Sequence, residues 1–246
     1  MILIAALAGI VSVLTSWIVG GRLLLLARRT RQAPELYIGL ALVLTGGVWN
    51  LLVSVGRQAT ALPDGMRAAL VALGALAGVA GMVCLATFNW RVFRPDQGWA
   101  MALVSSIGVL LVAAFAMQTL TSGWVDFAHH ERGPWLFGTW LGVGIYVWSN
   151  VEAWRQERML ARRLALGLAD PVVANRMRLW ALAMAAALIA SATLAACQLL
   201  GVPVAGTTMG LMITAVVALV APACLWLAFL PPASYVARIR AAAQGT

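Results

Sequence analysis

Seven apolar blocks, each about 20 residues or longer, follow one another along the chain with only short polar breaks between them. A helix rises about 1.5 Å per residue and the hydrocarbon core of a bilayer is about 30 Å thick, so each block is long enough to cross a membrane. Read between charged or Pro/Gly-marked breaks, the blocks fall near 2–27, 36–56, 67–90, 99–122, 134–154, 179–201 and 205–230. The expected fold is an all-α membrane protein, one bundle of seven transmembrane helices over residues 1–246. Composition agrees: 10% of the residues are charged, where a soluble domain carries about 25%. Nothing reads as a linker or a second domain. The first block lacks the basic flank of a cleaved signal peptide and is expected to stay as a helix.

Loops between successive spans alternate sides, so counting basic residues tests the orientation. With the N-terminus outside the cytoplasm and the C-terminus inside, the outer loops hold Arg57, Arg67 and Arg132 against Asp64, Asp126 and Glu131. The other fourteen arginines fall inside: Arg22 to Arg31, Arg91 with Arg94, Arg155 to Arg178, and Arg238 with Arg240. They face Glu35, Asp96, Glu152, Glu157 and Asp170, so the whole formal net charge of +9 collects on one side. That is the pattern of a multi-pass protein of a bacterial inner membrane. A basic balance of this origin points to anionic lipid at the inner face as a partner, and gives no support to nucleic-acid binding. Trp90, Trp99, Trp154, Trp180 and Trp226 at inner ends, and Trp124 and Trp135 at outer ends, are expected to be interfacial anchors.

Close helix contacts are expected at Gly74 with Gly78, Gly138 with Gly142 and Gly206 with Gly210, where small residues let backbones approach. The third block ends Trp90-Arg91-Val92-Phe93-Arg94-Pro95 and the seventh Trp226-Leu227-Ala228-Phe229-Leu230-Pro231. The shared spacing of Trp, Phe and Pro suggests a parallel repeat of helices 1–3 and 5–7, with helix 4 as the linker.

The seven-helix order with these termini resembles the topology of microbial rhodopsins and of SWEET-type sugar facilitators. Rhodopsins hold retinal as a Schiff base on a lysine of the last helix. This chain contains no lysine, which excludes a covalent retinal cofactor. The proline-glutamine pair of the SWEET-related families is likewise missing from helices 1 and 5. The stretch 162–180, which begins Arg-Arg-Leu-Ala-Leu-Gly-Leu-Ala-Asp-Pro, is similar to one found in bacterial seven-helix membrane proteins to which no activity is attached.

Proton pumps and ion-coupled carriers need ionisable groups at mid-membrane depth, and the middle of every block is free of Asp, Glu and His. Neutral polar residues are present instead. Thr139, Tyr146 and Asn150 recur at helical spacing on helix 5, Ser191 and Gln198 share a stripe on helix 6, and helix 7 carries Thr214. With Asn50 of helix 2 and Gln118 of helix 4, they are the candidate lining of a pocket for a neutral ligand. Arg22, the deepest charge, is expected to snorkel to the inner interface or to pair with Glu152. Asp126, His129, His130 and Glu131 are a titratable loop cluster with too few fixed ligands for a metal site. Cys84, Cys197 and Cys224 lack metal-ligand spacing and read as packing residues. No nucleophile-base pair, zinc motif or phosphate loop occurs, so no enzymatic activity is expected.

Helix 5 keeps strong helix formers to Leu166 and meets no breaker until Gly167, while Asp170 and Pro171 are a cap and first turn for helix 6. Both helices should therefore project beyond the membrane as a hairpin carrying Arg155, Arg158, Arg162, Arg163 and Arg176, the candidate seat of a cytoplasmic or membrane partner. After Pro231-Pro232, residues 233–243 should form an amphipathic helix on the inner surface, with Ser234 as its cap and Arg238 and Arg240 on headgroups. The functional expectation is a receptor-like sensor or accessory subunit that relays through the hairpin. A facilitator for a small neutral solute and a purely structural subunit are the alternatives.

Overall fold

The computed structural model describes residues 2–125, 133–202 and 208–244. Among these are seven long helices, α1 (Ile2–Thr30), α2 (Ala33–Gln58), α3 (Asp64–Phe93), α4 (Gly98–Ser122), α5 (Trp135–Ala165), α6 (Pro171–Leu200) and α7 (Thr208–Phe229), and a shorter α8 (Ala233–Gln244). Six of the seven, all but α5, are long and apolar enough to cross a membrane, which marks a multi-pass membrane protein. The expectation of seven apolar spans is met only in part. Residues 135–152 of α5 include Trp135, Trp140, Trp148, Tyr146, Ser149, Asn150 and Glu152, which dilute its apolar character.

Local chemistry accounts for the helix ends. Asp170 caps α6, its Oδ1 accepting the Val172 N–H at 2.7 Å ahead of Pro171 at the first helical position. α5 stops where Gly167 takes φ +69: its N–H reaches the Leu164 carbonyl at 2.9 Å and the Leu168 N–H reaches that of Arg163 at 2.8 Å. The same paired closure ends α6 at Gly201 and Val202, which bond to Gln198 and Cys197. A left-handed residue makes both closures possible, and in each the helix's last carbonyls gain partners. At the end of α2 a side chain does that work. Buried Arg67 of α3 donates from Nε to the Gly56 carbonyl at 3.0 Å and from Nη2 to that of Arg57 at 3.1 Å, and pairs with Asp64 at 3.2 Å. A cation at a helix C-terminus also meets the favourable end of the dipole. α8 begins at Ala233, immediately after Pro232, so Ser234 lies inside its first turn and not at the cap.

Each long helix packs on its neighbour in sequence, and α7 closes the ring on α1. α3 also touches α5 directly, which leaves α4 on the outside of that junction. α3 lies at the centre of the packing, where Val71, Ala75 and Ala86 have no exposed surface. Its glycines make the contact with α2: a Cβ at Gly74 would meet Val53, one at Gly78 would meet Trp49, and one at Gly81 would meet Leu44 and Thr45. Gly138 and Gly142 make no comparable contact with another helix: a Cβ at Gly138 would meet only Trp135 of its own helix, at 3.2 Å, and one at Gly142 only Met82, at an ordinary 3.8 Å, while Gly206 lies outside the described residues.

In α2 the turns widen to a π-helix over Leu42–Trp49. Wide turns disturb the carbonyl ladder, and two side chains answer it: Thr45 Oγ1 donates to the Ala41 carbonyl, and Asn50 Nδ2 to those of Thr45 and Gly46, both at 3.2 Å. Gly46 and Gly47 let Ser16 and Trp17 of α1 lie directly on this segment. α1 packs along residues 33–49 and leaves Asn50–Gln58 to α3.

Three of the supposed interfacial tryptophans are core residues. Trp124, Trp135 and Trp180 are at most 6% exposed, Trp124 and Trp135 stacking with Phe115 and Trp180 lying between Phe88 and Phe229. An indole at a span's end serves equally as anchor or filler, and only the neighbouring helix decides. Trp99 and Trp226 are exposed, as anchors would be. The two tryptophans of the suggested repeat differ: Trp90 packs against the core, whereas Trp226 faces outward.

Candidate functional site

The polar residues picked out along the helices do not converge. Asn50 is exposed, and its amide is spent on its own helix. The offsets that put it on a shared stripe assume 3.6 residues per turn. A π turn takes up an extra residue and rotates everything beyond it by about 100°. Thr214 is exposed on α7, whose buried face runs through Gly210, Ala215, Pro222 and Leu225. Gln118 is fully buried, but as a staple: its Nε2 donates to the Gly123 carbonyl at 2.6 Å and its Oε1 accepts the Trp135 N–H at 2.9 Å. Thr139 is half-buried and bonds back to the Trp135 carbonyl at 3.4 Å. Tyr146 faces Thr45 of α2, Asn150 reaches the Ala181 carbonyl of α6 at 3.5 Å, and Ser191 is half-buried. Gln198 holds an enclosed Oε1 without a partner. Residues with the same spacing on one helix share a stripe, but spacing does not say what the stripe faces.

A buried polar chain that the helical offsets missed joins α3 to α5 in the arginine-rich half. Asn89 Nδ2 donates to Ser149 Oγ at 2.6 Å, and Ser149 donates onward to the Ile145 carbonyl at 2.9 Å. One turn further along α5, Glu152, 4% exposed, accepts from Arg94 Nε at 2.9 Å and Nη2 at 3.2 Å. Arg155 approaches the same carboxylate at 3.6 Å. A bidentate guanidinium is the geometry that compensates a carboxylate taken out of water. Arg22 is exposed on α1, and Glu152 takes Arg94 in its place. The one signal available beforehand was Ser149 and Glu152 at i, i+3 on an otherwise apolar face.

Beyond Glu152, α5 and the start of α6 form a helical hairpin that turns at Gly167. Arg155, Arg158, Arg162 and Arg163, with Met159 and Leu166, line an open groove of about 350 Å³. Arg176 is elsewhere: with Val172, Asn175, Leu227, Pro231, Tyr235 and Ile239 it borders a crevice where α6, α7 and α8 meet, of about 10 Å³, room for one water. There Asn175 Nδ2 donates to Tyr235 Oη at 3.0 Å and ties α8 to α6. The hairpin tip exposes Leu166 and Leu168, 72% and 73% accessible.

No family model, curated protein or solved structure matches this chain. What it does has to be read from its own geometry. Among the described residues no three of His, Cys, Asp and Glu gather as metal ligands, while the loop cluster Asp126, His129, His130 and Glu131 lies outside them. The groove and the crevice both lie at the arginine-rich end, and neither is lined by any of the eight candidate pocket residues.

Proposed function

We propose that the chain is a seven-span protein of a bacterial inner membrane, with its hairpin and α8 in the cytoplasm, acting as a receptor-like sensor or accessory subunit. α5 is read as the seventh span because it packs along α6 and also against α3 and α4, sharing the depth of helices that are apolar enough to cross. The observation that carries the relay reading is the hairpin itself. α5 and α6 are unbroken helices of 31 and 30 residues that run from the bundle to a tip with two exposed leucines. An unbroken helix transmits tilt and rotation along its length, and exposed apolar side chains on a projecting tip are the chemistry of a docking contact. The alternative of a facilitator for a neutral solute draws no support from the polar residues, which are dispersed.

A photo-crosslinking residue at Ala165, introduced in cells, tests the relay. A single protein adduct should form and should be lost when Leu166→Ser and Leu168→Ser are introduced together with folding unchanged. Adducts only to lipid, or only to further copies of this chain, would overturn the reading.

A further inference from the structure

The four arginines of the α5 groove have a different occupant from the hairpin tip. We infer that this face of α5 seats an anionic phospholipid, its acyl chain along the apolar stripe and its phosphate among the guanidinium groups. The inference rests on reading α5 as a span. Three observations lead to it.

The groove is the continuation of a single helix face. Phe137, Trp140, Val147 and Val151 are exposed on α5. At 100° per residue they share a sector about 100° wide with Arg155, Arg158, Arg162 and Leu166. Along this face the exposed side chains are apolar up to Val151, and the next three, Arg155, Arg158 and Arg162, are basic, with no intervening turn. A surface that changes from hydrocarbon-compatible to cationic within one turn matches a lipid, whose tail and charged headgroup meet over the same distance.

The depth agrees as well. Arg155 to Arg163 cover about 12 Å of helix axis, more than the headgroup layer of one leaflet, about 5–7 Å. Side chains of a helix lean toward its N-terminus, however, and the N-terminal direction of α5 is the bundle. The lean shifts all four guanidinium groups toward the bundle together, and the long flexible stems of arginine let the charges at the two ends of the stretch snorkel to one headgroup layer. On α6, which runs the other way, the same rule directs the side chains of Arg176 and Arg178 toward the hairpin tip.

Charge selects the lipid. Four guanidinium groups close together favour an anion: Glu152 is already held by Arg94, and Glu157 falls about 80° outside this sector at 100° per residue. Met159 and Leu166 line the groove with the arginines and add apolar surface that a free phosphate would not use. Arg155, shared with Glu152, links the seat to the buried pair between α3 and α5.

Native mass spectrometry of the purified protein in neutral detergent, titrated with phosphatidylglycerol, phosphatidylcholine, glycerol phosphate or inorganic phosphate, tests the assignment. Phosphatidylglycerol should bind at least tenfold more tightly than phosphatidylcholine. R155Q/R158Q/R162Q/R163Q should lose that preference, R155K/R158K/R162K/R163K should largely keep it, and R238Q/R240Q on α8 should not affect it. Retention within twofold in the Gln variant, equal loss in the α8 variant, or competition by glycerol phosphate at the same concentration as the lipid would overturn it, the last by showing a soluble-phosphate site. If the Gln variant does not fold, a photoactivatable phosphatidylglycerol on the native protein decides: adducts within 147–166 support the seat, and adducts confined to α8 or α1 overturn it. Leu168→Ser alone, at an exposed tip residue that does not line the groove, should leave lipid binding intact while weakening the tip adduct, so failure of the relay and failure of the lipid seat are read separately.

Discussion

Asn89 of α3 and Ser149 of α5 share a 2.6 Å hydrogen bond with neither side chain exposed, and Asn89 Oδ1 has no further partner. The pair is therefore poorly buffered against loss of either member. Ser149→Ala should cost about 1–2 kcal/mol, above the average of about 0.6 for hydrogen bonds between membrane helices, because it leaves an enclosed amide with no side-chain partner. Asn89→Leu in the Ser149→Ala background should recover part of that loss. A double-mutant cycle of unfolding in detergent measures both, and strictly additive losses would show that the two groups do not interact.

Glu152 and Arg94 invite the complementary experiment. Glu152→Gln leaves Arg94, about a quarter exposed, without its counter-charge, and should cost about 1–3 kcal/mol, less than a fully buried pair because solvent still reaches the guanidinium. Arg94→Met with Glu152→Leu should restore most of the stability, since apolar packing commonly replaces a buried pair at little cost. Thermal denaturation followed by circular dichroism separates the cases: a double variant as weak as Glu152→Gln would mean that the charges hold the helix ends in a way packing cannot.

The glycines give a contrast that needs no charge. A Cβ at Gly81 would lie 3.0 Å from the Thr45 backbone nitrogen and 2.6 Å from its methyl, and α2 cannot yield there without repacking on α1. Gly81→Ala should destabilise by about 1–3 kcal/mol. Gly144, also within a helix, has nothing within 4 Å, so Gly144→Ala should be neutral or gain up to about 1 kcal/mol from helix propensity. Comparable losses at both positions, measured by the same unfolding assay, would contradict the close α2–α3 contact.

These glycines show what could be read from the sequence and what could not. Gly74 and Gly78 were legible because their spacing carries the rule for close helix contact, while Gly81, one turn on, belongs to the same seam without that spacing. The hairpin closures at Gly167 and Asp170 were legible because capping chemistry is local. The placement of Trp124, Trp135 and Trp180 was not, since it depends on which helix arrives opposite. Asn50 was misplaced for a specific reason: the π segment of α2 shifts the phase of everything after Trp49, and apolar residues around two glycines give no warning of it. Glu152 was legible as a charge but not as the partner of Arg94, because the α3–α5 contact is a property of the closed ring.

The span count turns on α5, and labelling can decide it. In a variant with Cys84, Cys197 and Cys224 replaced, single cysteines at Gly65, Asp96 and Leu168 probe the α2–α3, α3–α4 and α5–α6 connections, where all three residues are exposed. If α5 crosses, two spans separate Asp96 from Leu168, and both should react only from the side opposite Gly65. If α5 lies outside the membrane, Leu168 moves to the side of Gly65, and the arginines of the hairpin move with it. The positive-inside bias argues against that arrangement, because Arg155, Arg158, Arg162, Arg163, Arg176 and Arg178 would then face away from Arg91 and Arg94. A membrane-impermeant maleimide applied to intact cells should accordingly label Gly65→Cys and spare Asp96→Cys and Leu168→Cys until the cells are opened. Labelling of Leu168→Cys in intact cells would reduce the bundle to six crossings and remove the relay reading with it.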